Sequence, residues 1–303
     1  MKTANSVYGS SLWADARRRL MRDKVAMLCF GIIVVYFIIA VVSPFIFSGW
    51  DTSHDYNNRN MPPSLEHPLG TDALGRSVMQ KTFLGAHVSM SVAFMANIIA
   101  IPLGMLLGAI AGYFGRRIDE IVVWIYSTLA SIPGIILLIA IKFAFENKVF
   151  FSGTWLQLDL SGMAGIYLAL GVISWIGTCR LVRAETFKLK ELDYVIAAKA
   201  AGRGDFSILM RHIMPNVIHL GIINFSLGFI GAIGAEVTLS YLNLGVHELP
   251  SWGKMINEAR MELVVGHWWE LISAVIATFV IILAWNIFGD RLRDALDPKL
   301  KNV

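Results

Sequence analysis

Charge is scarce in this sequence. Asp, Glu, Lys and Arg make up only 16% of its 303 residues, where a soluble domain of this size carries about a quarter. Six stretches have none at all: Val25–Phe47, Val88–Gly115, Ile121–Ile141, Leu160–Cys179, Val217–Ala235 and Leu271–Gly289. Each is 19 to 28 residues long, and a helix needs about 20 to cross the hydrocarbon core of a bilayer. That length excludes a soluble core and the segments of about 10 alternating residues that build a barrel. Cysteine is nearly absent too. Cys29 and Cys179 fall in separate apolar runs, which argues for packing and against a disulfide framework or a cysteine-ligated metal. No Gly-x4-Gly-Lys-Ser/Thr occurs, and the single Gly-Lys pair, Gly253–Lys254, is followed by Met255. The chain therefore has no phosphate-cradling loop of that kind. It also lacks the chain of intramembrane acids expected of a proton-driven carrier and the clustered nucleophile, metal set or acid pair expected of a membrane enzyme.

What is present is an all-α membrane protein of six spans. The first apolar run is too long for a signal peptide, has no small-x-small cleavage site and is followed by five more. The basic residues set its orientation. Nineteen of the 26 Lys and Arg lie on one set of alternate loops: the N-terminus before Val25, Arg116 and Arg117, the segment from Arg180 to Arg211, and the tail. By the positive-inside rule those loops and both termini face the cytoplasm. The net charge of +4 is then a topology signal and needs no nucleic-acid partner. Trp50, Trp155, Trp252, Trp268 and Trp269 fall near predicted outer helix ends, where tryptophan commonly sits at the interface.

Residues 1–24 read as a cytoplasmic basic amphipathic segment, fit to lie on anionic lipid or on a neighbouring subunit. Residues 25–303 read as one membrane domain with spans near 25–47, 86–113, 119–142, 161–182, 216–240 and 269–290. Within the external loop 240–270, the stretch "SWGKMINEARMEL" has helical spacing. Gly104, Gly108 and Gly112 recur every fourth residue in the second span, and Gly228, Gly231 and Gly234 form a second small face in the fifth. Such residues let helices approach closely in lipid, as packing faces or as a sliding seam. Pro102 and Pro133 stand inside spans, where kinks are tolerated when neighbours satisfy the freed carbonyls. Glu236 lies about 30 Å of helix past Pro215, near the outer face. It is read as a structural or outer-gate residue that reaches water or a loop amide.

The most distinctive stretch is polar: "VIAAKAAGRGDFSILMRHIMPN", Val195–Asn216. Asp193 is a possible N-cap of a first short helix, with Leu192, Val195, Ile196 and Ala200 on one face. Gly202 and Gly204 end it. Asp205 caps a second helix, in which Phe206, Leu209, Met210 and Ile213 follow helical spacing, and Pro215 ends that helix before the fifth span. Tethered to the membrane on both sides, the pair is unsuited to reading DNA and suited to docking a cytoplasmic partner.

The same residues carry a resemblance. Ala197–Ala198, Gly202 and Pro215 stand at the spacing of the cytoplasmic loop signature of permease subunits of ATP-binding-cassette importers. Ile196, His212 and Met214 replace the family's Glu, Ile and Leu. The segments His67–Ala93, Leu239–Arg260 and Asn286–Leu300 resemble the dipeptide and oligopeptide permeases, and the short loop before His67 resembles their C-type subunit. The resemblance implies a type I importer bundle in a bacterial inner membrane, with a coupling loop at about 188–215 seated in a groove of an ATPase. It implies alternating access for peptides, a homologous permease partner, two ATPases and an external binding protein. ATP and Mg would be used by the ATPases, with no cofactor on this chain and no catalysis by it. In that loop, Ala197 and Ala198 allow close approach, Gly202 permits the turn, and Asp205 and Pro215 fix the second helix. Phe206 and Leu209 are the candidate partner contacts. Nickel and glutathione permeases share these motifs. The seven His residues are scattered, so nickel is the lesser alternative, and an ion-coupled carrier lesser still.

Overall fold

A computed structural model describes residues 12–50, 55–145, 149–150, 153, 158–160, 162–246 and 248–296; Trp155 lies outside them. Helix α1 (Leu12–Arg22) precedes α2 (Lys24–Ile46). Between them Asp23 caps α2, its carboxylate accepting from the Val25 and Ala26 amides at 2.9 and 3.2 Å. After an irregular segment come α3 (Val78–Phe114), α4 (Arg116–Ala130) and α5 (Gly134–Phe145). A two-residue pair, β1 (Val149–Phe150) with β2 (Leu158–Asp159), is antiparallel. The remainder is α6 (Met163–Leu189), α7 (Asp193–Ala200), α8 (Asp205–Ile208), α9 (Met214–Tyr241), α10 (Trp252–Val264) and α11 (Trp269–Leu296).

Among the described residues, five helices are long and apolar enough to cross a membrane, or six if α4 and α5 together make one span. The span expected at 119–142 is broken, since α4 and α5 meet at 97°. Pro133 offers no amide hydrogen and disfavours helix at Ile132. Beside it the Ser131 hydroxyl donates to the Thr128 carbonyl at 2.7 Å, closing the last turn of α4. Pro102, by contrast, sits within an unbroken α3.

Helix α3 is the spine. Its 37 residues span about 55 Å, and it packs on α2, α6, α9 and α11. The α6 contact rests on the predicted glycines. A Cβ on Gly104 would stand 2.6 Å from the Trp175 carbonyl, one on Gly108 2.6 Å from that of Cys179, and one on Gly112 2.7 Å from Thr186. Every fourth residue of α3 thus lies directly against the α6 backbone. The fifth-span set divides. Gly228 touches the Asn97 side chain of α3, but Gly231 and Gly234 are exposed with open space around them. Those two are not packing positions within this chain. Cys29 and Cys179 are buried and unpaired. Aromatic rings fill the centre, with Phe229 stacked on Trp285 at 4.0 Å and Phe37 and Phe94 edge to face at 5.7 Å.

Substituting Gly108 by Leu should force α3 from α6 and lower stability by about 1–3 kcal/mol, read as an earlier thermal transition in detergent. Gly231→Ala should leave that transition unchanged.

Candidate functional site

Two sites stand at opposite ends of α3. At the lower end, α7 and α8 form the predicted pair with corrected ends. Asp193 and Asp205 are first residues of their helices and not N-caps; the cap positions are Leu192 and Gly204, without side-chain cap bonds. Asp205 instead accepts from the Tyr113 hydroxyl at 2.7 Å, fastening α8 to the end of α3. Gly202 does end α7. It takes φ +76°, its amide donates to Lys199 and that of Arg203 to Ala198, the paired bonds of a glycine-terminated helix.

Pro215 does not end the second helix. Residues Asp205–Tyr241 run on as one helix, with a wide π turn at Leu209–Ile213 in which the Met214 amide donates to Leu209. A proline ring crowds the carbonyl four residues earlier and brings no hydrogen to it. The wider turn relieves both, so the loop is mechanically continuous with α9.

The expected apolar faces also rearrange. Val195, Ala198, Ile208, Leu209 and Ile213 point inward onto Ile101, Met105, Ala109 and Val182 of α3 and α6. Leu209 is only 4% exposed, so it braces the loop from within and is not a partner contact. Ala200 is exposed, away from Val195. What faces outward is Phe206, 74% exposed, with Leu192, Tyr194, Ile196 and Met210 and the small Ala197. A groove of about 430 Å³ between this loop and Tyr113–Phe114 carries Lys190, Glu191 and Lys199. Nearby, Arg183 of α6 makes a two-pronged ion pair with Asp119 of α4, and the Arg180 guanidinium lies 4.7 Å over the Tyr126 ring.

At the upper end, Lys81 was missed by the sequence reading. Helix α3 starts at Val78, eight residues before the expected 86, because this lysine is supplied with partners. Its ammonium bonds Asp72 at 3.2 Å, Glu258 of α10 at 2.6 Å and Glu270 of α11 at 2.5 Å, with its side chain 2% exposed. Arg76 bonds Asp72 at 2.8 Å and lies 4.3 Å over the Trp50 ring. The partners of Lys81 lie 9, 177 and 189 positions away, a set no local spacing could suggest.

Tryptophan reinforces this clamp. Trp252 and Trp269, expected at the lipid interface, are buried and donate to the carbonyls of Thr82 and Thr71 at 3.0 and 2.9 Å. Trp50 is buried as well, whereas Trp268 is 48% exposed. Just below, Glu236 is fully buried, and among the described residues its partners are serines and not the expected loop amide. Its carboxylate accepts from Ser89 of α3 at 2.6 Å, from Ser240 at 2.7 Å, and from Ser251. Ser251 also caps α10, so one side chain joins α3, α9 and α10. Among the described residues no three His, Cys, Asp or Glu are grouped to hold a metal ion.

The chain is a helical bundle knit by Lys81 at one end of α3 and carrying, at the other, a short helix pair whose second member is continuous with a long apolar helix. The chain belongs to the family described as the inner membrane component of binding-protein-dependent transport systems, matched over residues 104–302. Residues 11–63 match the N-terminal transmembrane domain of oligopeptide transport permease C. It is 35% identical to the dipeptide transport system permease DppC of Bacillus subtilis, over 99% of this chain and 90% of that one. It is 34% identical to the glutathione transport system permease GsiD of Pectobacterium atrosepticum, over 96% and 92%. It is 33% identical to the oligopeptide transport system permease OppC of Haemophilus influenzae, over 96% and 90%. The fold is that of the inward-facing MetNI methionine ABC transporter, with a TM-score of 0.54, 18% identity, and coverage of 72% of this chain and 97% of that one.

Burial pushes the Asp72 carboxyl up, but Lys81 and Arg76 outweigh it and hold it below the usual carboxylate range. Its stabilisation is thus complete above about pH 4 and is lost as pH falls through the depressed value. Lys81→Met would leave three carboxylates without their shared cation and should cost about 3–5 kcal/mol, read as folded yield in mild detergent at pH 7. Adding Glu270→Gln should recover part of that loss.

Proposed function

We propose that the chain is a permease subunit for peptide uptake across a bacterial inner membrane, with α4 and α5 forming one broken span of six and both termini in the cytoplasm. It lines the pathway together with a homologous permease. Two separate ATPases drive it, and an external binding protein delivers the substrate. The chain itself catalyses nothing; ATP and Mg act on the ATPases. The alternation of basic loops supports the orientation, and the names of the relatives support a peptide, with glutathione, itself a peptide, as the alternative.

The observation that carries the reading is the outward apolar face of the α7–α8 pair on an inwardly anchored loop. Phe206, Ile196 and Met210 are exposed apolar side chains beside a groove that carries Lys190, Glu191 and Lys199, and an apolar patch rimmed by charge supports a docking role. Ala197 and Gly202 keep that surface low and its turn tight, while Ala198, Leu209 and Pro215 belong to its foundation. When two ATPases close, the docked loop follows, and the π turn and α9 carry the displacement into the bundle as a rigid-body motion. On this reading Gly104, Gly108 and Gly112 pack the subunit, Gly228 adds a contact to α3, and Gly231 and Gly234 face outward toward the second permease. Glu236 holds the outer end together.

Gly202 has a left-handed φ but open space where a side chain would go. Gly202→Leu should therefore strain the turn by about 1–2 kcal/mol and shift Phe206. The expected result is normal membrane insertion with substrate-stimulated ATP hydrolysis abolished in the assembled complex; normal stimulation would remove the docking argument. Orientation is tested separately. A cysteine replacing Ser207 should react with a membrane-impermeant thiol reagent in inverted vesicles and not in intact cells.

A further inference from the structure

Between α3, α9 and α11 runs a groove of about 460 Å³ that the transport reading leaves unused. Met105, Ile218, Ile222, Phe225, Phe288 and Leu292 form most of its wall, and among the described residues lining it only Ser226 is polar. Ile218 and Phe225 lie four and eleven residues into α9, about 6 and 17 Å along it, so the groove occupies the half of the bundle nearer the basic loops. A methylene takes roughly the volume of a water, about 30 Å³, so the groove accommodates on the order of fifteen.

The end of the groove adjoins a basic segment. Leu292 follows Arg291, which pairs with Asp23 at 3.5 Å at the junction of α1 and α2, and α1 packs along α11. Exposed Arg17, Arg18, Arg19 and Arg22 stand on α1 immediately before the first span. Such a cluster attracts anionic lipid. We infer that this groove binds one acyl chain of an anionic phospholipid of the cytoplasmic leaflet, whose headgroup is held by the arginines of α1.

A helix of the second permease is the competing occupant, and the register of α9 speaks against it. At 100° per residue, Ile218, Ile222 and Phe225 fall on the side of α9 opposite Leu227, Gly231 and Gly234, the face its own chain leaves open. A subunit seated on that open face leaves the groove uncovered. A lipid chain in the groove would instead stand between α11 and the α3–α9 pair on which the α7–α8 loop rests. The leaflet rests on the proposed orientation; the site itself does not.

Trp285 lines the groove and reports on it. The assembled transporter is reconstituted in phosphatidylcholine containing rising fractions of dibromo-acyl phosphatidylglycerol or dibromo-acyl phosphatidylcholine. The Trp285 signal is the difference between the parent and Trp285→Phe. Half-quenching is expected at about a tenfold lower mole fraction of the anionic lipid. The double variant Arg17→Gln/Arg18→Gln should erase that preference, and Ile222→Phe, which fills the groove, should weaken quenching by both lipids. Equal quenching by the two lipids in the parent, or a preference that survives the arginine variant, would overturn the headgroup assignment. An unquenched Trp285 in the assembled transporter would mean that protein covers the groove, and the inference would fall. Quenching is indifferent to sidedness, so an error of orientation would show only in the labelling of Ser207→Cys.

Discussion

In lipid there is no hydrophobic force between helices, and two backbones hold together only where little stands between them. Helices α3 and α6 meet on Gly104, Gly108 and Gly112, each facing a carbonyl or side chain of α6 across a gap too small for a methyl group. That contact makes α3 the reference against which other parts are fixed. Above it Lys81 gathers the external segment, α10 and α11. Below it Tyr113 holds Asp205, and Ile101, Met105 and Ala109 receive the buried face of the α7–α8 pair. Loosen the α3–α6 seam and both ends lose their common support.

The two ends are built from different chemistry. The Lys81 end is ionic and multiply bonded: one ammonium shared by three carboxylates, two indole donors on backbone carbonyls, and three serines on Glu236. A buried charge that loses its partner is expensive, so these segments move together or not at all. The α7–α8 end is an apolar socket with the Tyr113–Asp205 bond at its edge. Apolar contacts tolerate small slides, and the π turn at Leu209–Ile213 is a wide coil within an otherwise regular helix. The two ends of α3 therefore differ in stiffness: the Lys81 end is held as one piece, and the α7–α8 end is seated on contacts that can slide.

The sequence was informative where a property is local or periodic. Uncharged length marked the five long apolar helices, four-residue glycine spacing marked the face of α3 that meets α6, and Gly202 marked the end of α7. It was uninformative where a residue's meaning lies in distant partners. Lys81 drew no reading from its neighbours, because the acids that bury it come from α10 and α11. Trp252 and Trp269 looked like interface anchors for the same reason: their carbonyl partners, at Thr82 and Thr71, are far away in the chain. Pro215 looked like a stop because proline breaks the ordinary α pattern, and only the π turn lets the helix pass through it. Asp193 and Asp205 had the composition of caps but stand one residue inside their helices.

Helix α9 brings these parts together because each of its sides has a different neighbour. Gly228 on Asn97 and, about two turns further along, Glu236 on Ser89 pin it to α3. The side with Leu227, Gly231 and Gly234 is small and open, and the opposite side borders the apolar groove beside α11 in its first half and turns Glu236 inward in its second. At its start it continues from α8 through the π turn without a break. The rod is therefore anchored near Glu236, where three serines hold it, and bordered by apolar space nearer α8, so its fixed and its yielding lengths follow one another along one helix.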